Sequence, residues 1–173
     1  MDIKRISPFF SVSPQLTVQD VGIAATKGFK TIINNRPDGE SDDQPTSADI
    51  ERAARAQGLD YRHIPVIGGK ISDSDIAAFS SAKAEVIGPV LAFCRSGQRS
   101  ISLWSLSEAD HMDAGALVLA AEEIGYDISS LKSRFAARMS AQVATVSDSG
   151  PAHARSFDVV IVGGGAGGIS AAA

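Results

Sequence analysis

The chain has 173 residues, with 16 Lys and Arg against 20 Asp and Glu and a formal net charge of −4. That length suits one domain with a sizeable core, and 44% hydrophobic against 21% charged residues excludes a mostly disordered chain. The acidic balance argues against a generic nucleic-acid binder, and the single cysteine excludes an intrachain disulfide, a paired-cysteine redox motif and a cysteine-rich zinc site.

The first residues, charged and then broken by Pro8 and Pro14, lack the apolar stretch and cleavage site of a secretory signal. No window approaches the ~18 consecutive apolar residues of a membrane span, so the expected setting is the cytoplasm. A first short strand is expected over 9–12. A helix capped by Thr17 runs to Lys27 and stops at Gly28. Residues 29–33 read as a buried strand that ends in a polar turn, Asn34-Asn35-Arg36-Pro37-Asp38-Gly39. A helix follows from Thr46 or Ser47 to Gln57. A strand-like run covers 61–66, and a helix capped by Ser72 or Ser74 extends to about Val86. Residues 90–93 are a short apolar strand, followed by a loop and a helix from about Ser100. Two further helices are expected over 113–124 and 129–139. Strands alternating with helices imply an α/β fold with a short central parallel sheet covered on both faces. Ligands of such sheets bind beyond the carboxyl ends of the strands.

One such end carries Cys94-Arg95-Ser96-Gly97-Gln98-Arg99-Ser100. Amides of a tight loop entering a helix converge on an anion. A helix N-terminus and arginines favour a thiolate. Gly97 permits a backbone turn that a Cβ resists, Arg99 offers a forked pair of donors to an oxyanion, and Ser100 can donate to the sulfur. Cys94 is therefore the expected nucleophile beside an oxyanion cradle. The alternative is a small buried hydrophobe.

The Cys-x4-Arg loop resembles that of rhodanese sulfurtransferases, and is one residue shorter than the Cys-x5-Arg loop of protein tyrosine phosphatases. The wider pattern, with NNRPDGE, DQP, YRHIPV and CRSGQRS followed by ISLW, resembles the phosphatase-like domain of beta-lactamase hydrolase-like proteins over roughly residues 3–139. The resemblance implies a tyrosine-phosphatase-like fold, with Cys94 as nucleophile, Arg99 as oxyanion binder, and Arg95, Ser96, Gly97 and Gln98 forming the anion-binding loop.

A phosphatase of this kind uses an acid to protonate the leaving oxygen. The matching stretch, Ile67-Gly68-Gly69-Lys70, has none; Asp38 and Glu40 are substitutes, although Pro-Asp-Gly is a turn signal in its own right. Sulfur transfer needs no acid. The sequence therefore favours sulfane-sulfur transfer through a Cys94 persulfide. Phosphate-ester hydrolysis through Cys94 is the alternative, and a non-catalytic anion-binding or docking module is a third reading.

After residue 139 the composition becomes rich in Ser, Ala, Gly and Pro, and 140–156 reads as a linker. The apolar run 157–162 then enters Gly163-x-Gly165-x-x-Gly168, the pattern of a dinucleotide-binding turn. It resembles the start of a flavin-dependent oxidoreductase, of the sulfide:quinone type, and implies that residues 157–173 begin a Rossmann domain that they cannot complete. FAD is expected in a longer protein and not in this chain. The expected partners are a small oxyanion or sulfane-sulfur substrate and that flavoprotein domain, with neither nucleic acid nor membrane. His63, His111 and His153 are too scattered for a metal set. Trp104 reads as core, and Arg134 and Arg138 read as cations near the end of the last helix.

Overall fold

In a computed structural model of the chain, residues 1–86 and 88–147 are described. Residues 148–173, and with them His153, the 157–162 run and Gly163, Gly165 and Gly168, lie outside the described part.

Five four-residue strands form one sheet: β1 (Lys4–Ser7), β2 (Phe10–Ser13), β3 (Thr31–Asn34), β4 (Asp60–His63) and β5 (Val90–Phe93). Their order is β1-β2-β5-β3-β4. The pairs β2–β5, β5–β3 and β3–β4 are parallel, and β1 adds an antiparallel edge. The expected parallel sheet is therefore mostly parallel, and β1 is an element the sequence reading lacked. The helices are α1 (Val18–Thr26), α2 (Ser47–Ala56), α3 (Asp73–Glu85), α4 (Gln98–Glu108), α5 (Ala114–Glu123) and α6 (Lys132–Ser147), the last entered through a 3₁₀ turn at Ser129–Leu131.

Side-chain alternation sorts the helices onto two faces. Leu91 and Phe93 of β5 and Ile32 of β3 pack on Val21 and Ala24 of α1 and Ile50 and Ala54 of α2. Val90 and Ala92 of β5 and Ile33 of β3 face the opposite core, with Phe79 of α3, Leu103 and Leu106 of α4, Leu117 of α5 and Phe135 of α6. Trp104 belongs to that core, stacked on Phe10 at 6.1 Å between ring centroids.

Three helix starts show an expected cap, and Asp113 adds a fourth. Thr17 and Ser72 form capping boxes with Asp20 and Asp75, Thr46 accepts from the amide of Asp49, and Asp113 accepts from those of Gly115 and Ala116. The strand over 61–66 is shorter than expected, and α6 continues past Met139 to Ser147. Because α6 starts at Lys132 and runs to Ser147, Arg134 stands in its first turn and not near its end.

The registers make the site. Ser13 of β2 and Asn34 of β3 both pair with Phe93, and Asn34 pairs with His63. Four strands thus end level with one another, with Cys94 next in the chain on the inner strand β5.

Candidate active site

The loop leaving β5 is tied on both flanks. Asn35 N–H donates to the Phe93 carbonyl at 2.8 Å, and Gln15 N–H donates to that of Arg95 at 3.3 Å. Cys94 is fully buried, and the Gly97 N–H donates to its Sγ at 3.2 Å. Gly97 is the N-cap of α4 at φ 90°, with no side-chain capping bond. The positive end of α4 is thus turned to the sulfur, where α1, α2, α3 and α5 satisfy theirs with a Thr, Ser or Asp.

Glycine is needed at residue 97 for two reasons. Its φ lies in the left-handed region, and a Cβ there would meet Tyr126 Oη at 2.0 Å. Tyr126, in the turn after α5, donates from that hydroxyl to the Ser96 carbonyl at 3.1 Å and so braces the loop from behind. Burial raises the Tyr126 pKa, with the charge of Cys94 acting in the same direction.

Arg99, in the first turn of α4, donates from Nη1 to Glu40 Oε1 at 2.6 Å and from Nη2 to Oε2 at 2.7 Å, a bidentate pair. Nη1 also reaches the Val66 carbonyl at 2.9 Å. Glu40 in turn accepts from Arg36 Nε at 2.9 Å. Arg36 is only 4% exposed, with Nη1 on Gln15 Oε1 at 2.8 Å and Nη2 on Ser41 Oγ at 2.9 Å. Its backbone N–H donates to Asn34 Oδ1 at 2.9 Å, and His63 Nε2 lies 3.0 Å from its carbonyl oxygen. The polar turn after β3 is therefore a rigid arm that carries a carboxylate to Arg99. Hydrogen bonds from Arg99, and then from Arg36, pull the Glu40 carboxyl down to about 2 against the opposing effect of burial. The same bonds to Glu40 raise Arg99 above its ordinary value, with a further contribution from Cys94.

A pocket of ≈ 440 Å³ opens on this arrangement, lined by Arg95, Ser96, Gln98 and Arg99 on one side and by Glu40, Gly68 and Gly69 on another. Gln98 Nε2 also donates to the Asp127 carbonyl at 2.7 Å. A larger groove of ≈ 530 Å³ among Phe10, Val90 and Trp104 lies at the opposite end of β2 and β5 and has no cysteine in its lining.

The expected loop residues 94–99 thus come together. Two other expected residues do not join them in the roles foreseen. Ser100 is fully buried and its hydroxyl has no hydrogen-bond partner, so it does not donate to Sγ. It sits about 100° around α4 from Arg99, on the core side. Asp38 accepts the Ser47 N–H at 2.7 Å and holds the entrance of α2; it does not line the pocket. The carboxylate at the loop is Glu40. Sequence reading considered Glu40 only as an acid, and it did not single out Arg36 or Tyr126 individually. The polar turn after β3 was visible in the sequence; that it lies beside the loop after β5 follows only from the strand order.

A parallel-stranded α/β fold with a cysteine–arginine loop at the carboxyl end of an inner strand defines a phosphatase-like protein with a tyrosine-phosphatase-like fold. The chain belongs to the family described as beta-lactamase hydrolase-like protein, phosphatase-like domain, which matches residues 2–111. It is similar to the beta-lactamase hydrolase-like protein of Agrobacterium fabrum, 42% identical over 109 residues, which is 63% of this chain and 25% of that protein. The chain thus aligns with only a quarter of that relative's length. Among solved structures it resembles a putative phosphatase from Neisseria meningitidis, with 32% identity, a TM-score of 0.72, and coverage of 80% of this chain and 99% of the other. A mutant form of Tk-PTP shares the fold at 12% identity and a TM-score of 0.66, covering 83% and 97%.

Proposed function

We propose that the site hydrolyses phosphate monoesters through Cys94. The observation that carries the reading is the Gly97 amide on Sγ beside the clamped Arg99, on a fold shared with a putative phosphatase. The thiolate attacks phosphorus, the P–O bond to the leaving group breaks, and the leaving oxygen takes a proton from water. Water then attacks the phosphocysteine, the S–P bond breaks, and inorganic phosphate and the thiolate are released. Arg99 and the loop amides balance the charge on the equatorial oxygens. Because Sγ is fully buried behind the loop, only a small reacting group reaches it.

The pocket carries one acid, Glu40, held ionised down to about pH 2. It therefore has no proton to give at neutral pH, and a positioned general acid is worth about 10²–10⁴ in rate. Aryl esters, whose phenolate leaves more readily than an alkoxide, are the expected substrates. Wild-type protein and Cys94→Ser assayed on aryl and alkyl phosphates test this. Cleavage of aryl esters alone, abolished by Cys94→Ser, is the expected result; equal rates on alkyl esters would reject it.

A second reading is favoured by the short Cys94–Arg99 loop and by the same lack of a protonated acid. Here the thiolate attacks the outer sulfur of thiosulfate, the S–S bond breaks, sulfite leaves with the electron pair, and Cys94 holds a persulfide. Cyanide then removes the sulfur as thiocyanate, which is the assay. The flavoprotein expected from Gly163, Gly165 and Gly168 would exchange sulfane sulfur with Cys94 in that case. This partner and its FAD rest on the glycine spacing alone, and a flavin absorption band in a longer chain would support them. No described helix is long and apolar enough to cross a membrane, and no group of three potential metal ligands occurs among the described residues.

A further inference from the structure

The pocket over the cysteine loop continues into a second recess of ≈ 200 Å³, with Gly69, Ile71, Gln98 and Ser102 shared between the two. Ile128 and Leu131 join Ile71 in giving this recess an apolar lining, and Arg134 lines it without reaching the first pocket.

Arg134 stands in the first turn of α6, where the helix dipole disfavours a cation. Helix chemistry therefore does not account for it. Its Nη1 donates to the Ile71 carbonyl at 2.7 Å and its Nη2 to Asp73 Oδ1 at 3.2 Å. These bonds aim the guanidinium at the start of α3, beside the recess. Asp73 is 85% exposed, so its pairing with Arg134 is screened by water and easily exchanged for another anion. Across the joined cleft the charged lining is Arg95, Arg99 and Arg134 against Glu40; Arg99 and Glu40 offset one another, which leaves Arg95 and Arg134 as the lining's cationic excess.

We propose that the recess is a specificity subsite. It takes a second anionic group of the substrate, on Arg134, joined by an apolar or aromatic spacer to the oxyanion held on the Cys94 loop. The spacer lies over Ile71, Ile128 and Leu131. The preferred substrate is then a small aryl phosphate that also bears a carboxylate or a second phosphate. This inference rests on the Cys94 loop holding the reacting oxyanion.

Two non-hydrolysable phosphonates of matched shape test it, 4-(2-carboxyethyl)phenylphosphonate and 4-propylphenylphosphonate, titrated calorimetrically into the protein. The carboxylate compound is expected to bind about fivefold tighter, the ratio expected of a partly screened ion pair near 1 kcal/mol. Arg134→Ala is expected to remove that preference and leave the propyl compound's affinity unchanged, and Arg134→Lys to restore part of it. Retained binding of the propyl compound shows that the variant is folded. Equal binding of the two compounds to wild-type protein, or a preference that survives Arg134→Ala, overturns the subsite alone. Failure of both phosphonates to bind wild-type protein overturns the subsite and the oxyanion reading of the Cys94 loop together.

Discussion

Glu40 and Arg99 are far apart in the chain and locked together in space. Their pairing gives the site a fixed guanidinium and gives the protein a pH signature. The Glu40 carboxyl falls from an ordinary 4.5 to about 2 on folding, first through the bonds from Arg99. A depressed carboxyl stabilises the fold fully above its unfolded pKa and loses that contribution as pH drops through the folded one. Glu40→Gln should therefore melt lower than wild type at neutral pH. The gap should narrow below about pH 4.5 and close near pH 2, as read by thermal melts across that range. At neutral pH the same variant should lose about tenfold or more in kcat/KM on an aryl phosphate, because a loosened Arg99 is misplaced for the oxyanion. Gly97→Ala offers a separate check. It should cost about 1–3 kcal/mol in backbone strain, with a further penalty from the Tyr126 hydroxyl that a Cβ would meet at 2.0 Å. Combining it with Tyr126→Ala should give a smaller loss than the sum of the two, measured by urea unfolding. Cys94, Gly97 and Arg99 were legible in the sequence because the loop is contiguous and each residue has a local reason to be there. Glu40 as a clamp was not, because its partner follows the neighbouring strand β5 and that adjacency is not written in either segment. The expected Ser100–sulfur contact failed because one residue's step around α4 carries a side chain from the pocket to the core.

Helix caps and glycine stops were legible because they are local chemistry. Thr17 caps α1 as expected, Ser72 is the one of the two candidates that caps α3, and β5 covers the expected residues 90–93. The β1 strand was not legible. Only four residues long, it is stabilised by pairing with β2 and not by its own pattern. The extension of α6 was hidden by a Ser- and Ala-rich composition that suits a linker, although Ala and Gln are also strong helix formers. That helix docks through Phe135, which is 1% exposed. Phe135→Ala should destabilise the domain by about 3–5 kcal/mol, seen as a lower denaturant midpoint. A negligible change would mean that α6 is not part of the cooperative unit.

At the scale of the whole molecule, strand order places the chemistry. With β5 between β2 and β3, the Cys94 loop is flanked by the segment after β2, which supplies Gln15, and the turn after β3, which supplies Arg36 and Glu40. The α/β class and the site at the carboxyl ends followed from alternating strands and helices, whereas the β1-β2-β5-β3-β4 order did not. The balance between phosphate and sulfur chemistry shifted for a related reason. The short loop and the missing general acid favoured sulfur, while the assembled fold and its Neisseria meningitidis relative favour phosphate. The most direct test of the account is the intact mass of the protein after rapid acid quench with an aryl phosphate. A single phosphoryl adduct that maps to Cys94 and is absent in Cys94→Ser is expected; an unmodified Cys94 in a protein that still cleaves the ester would contradict it.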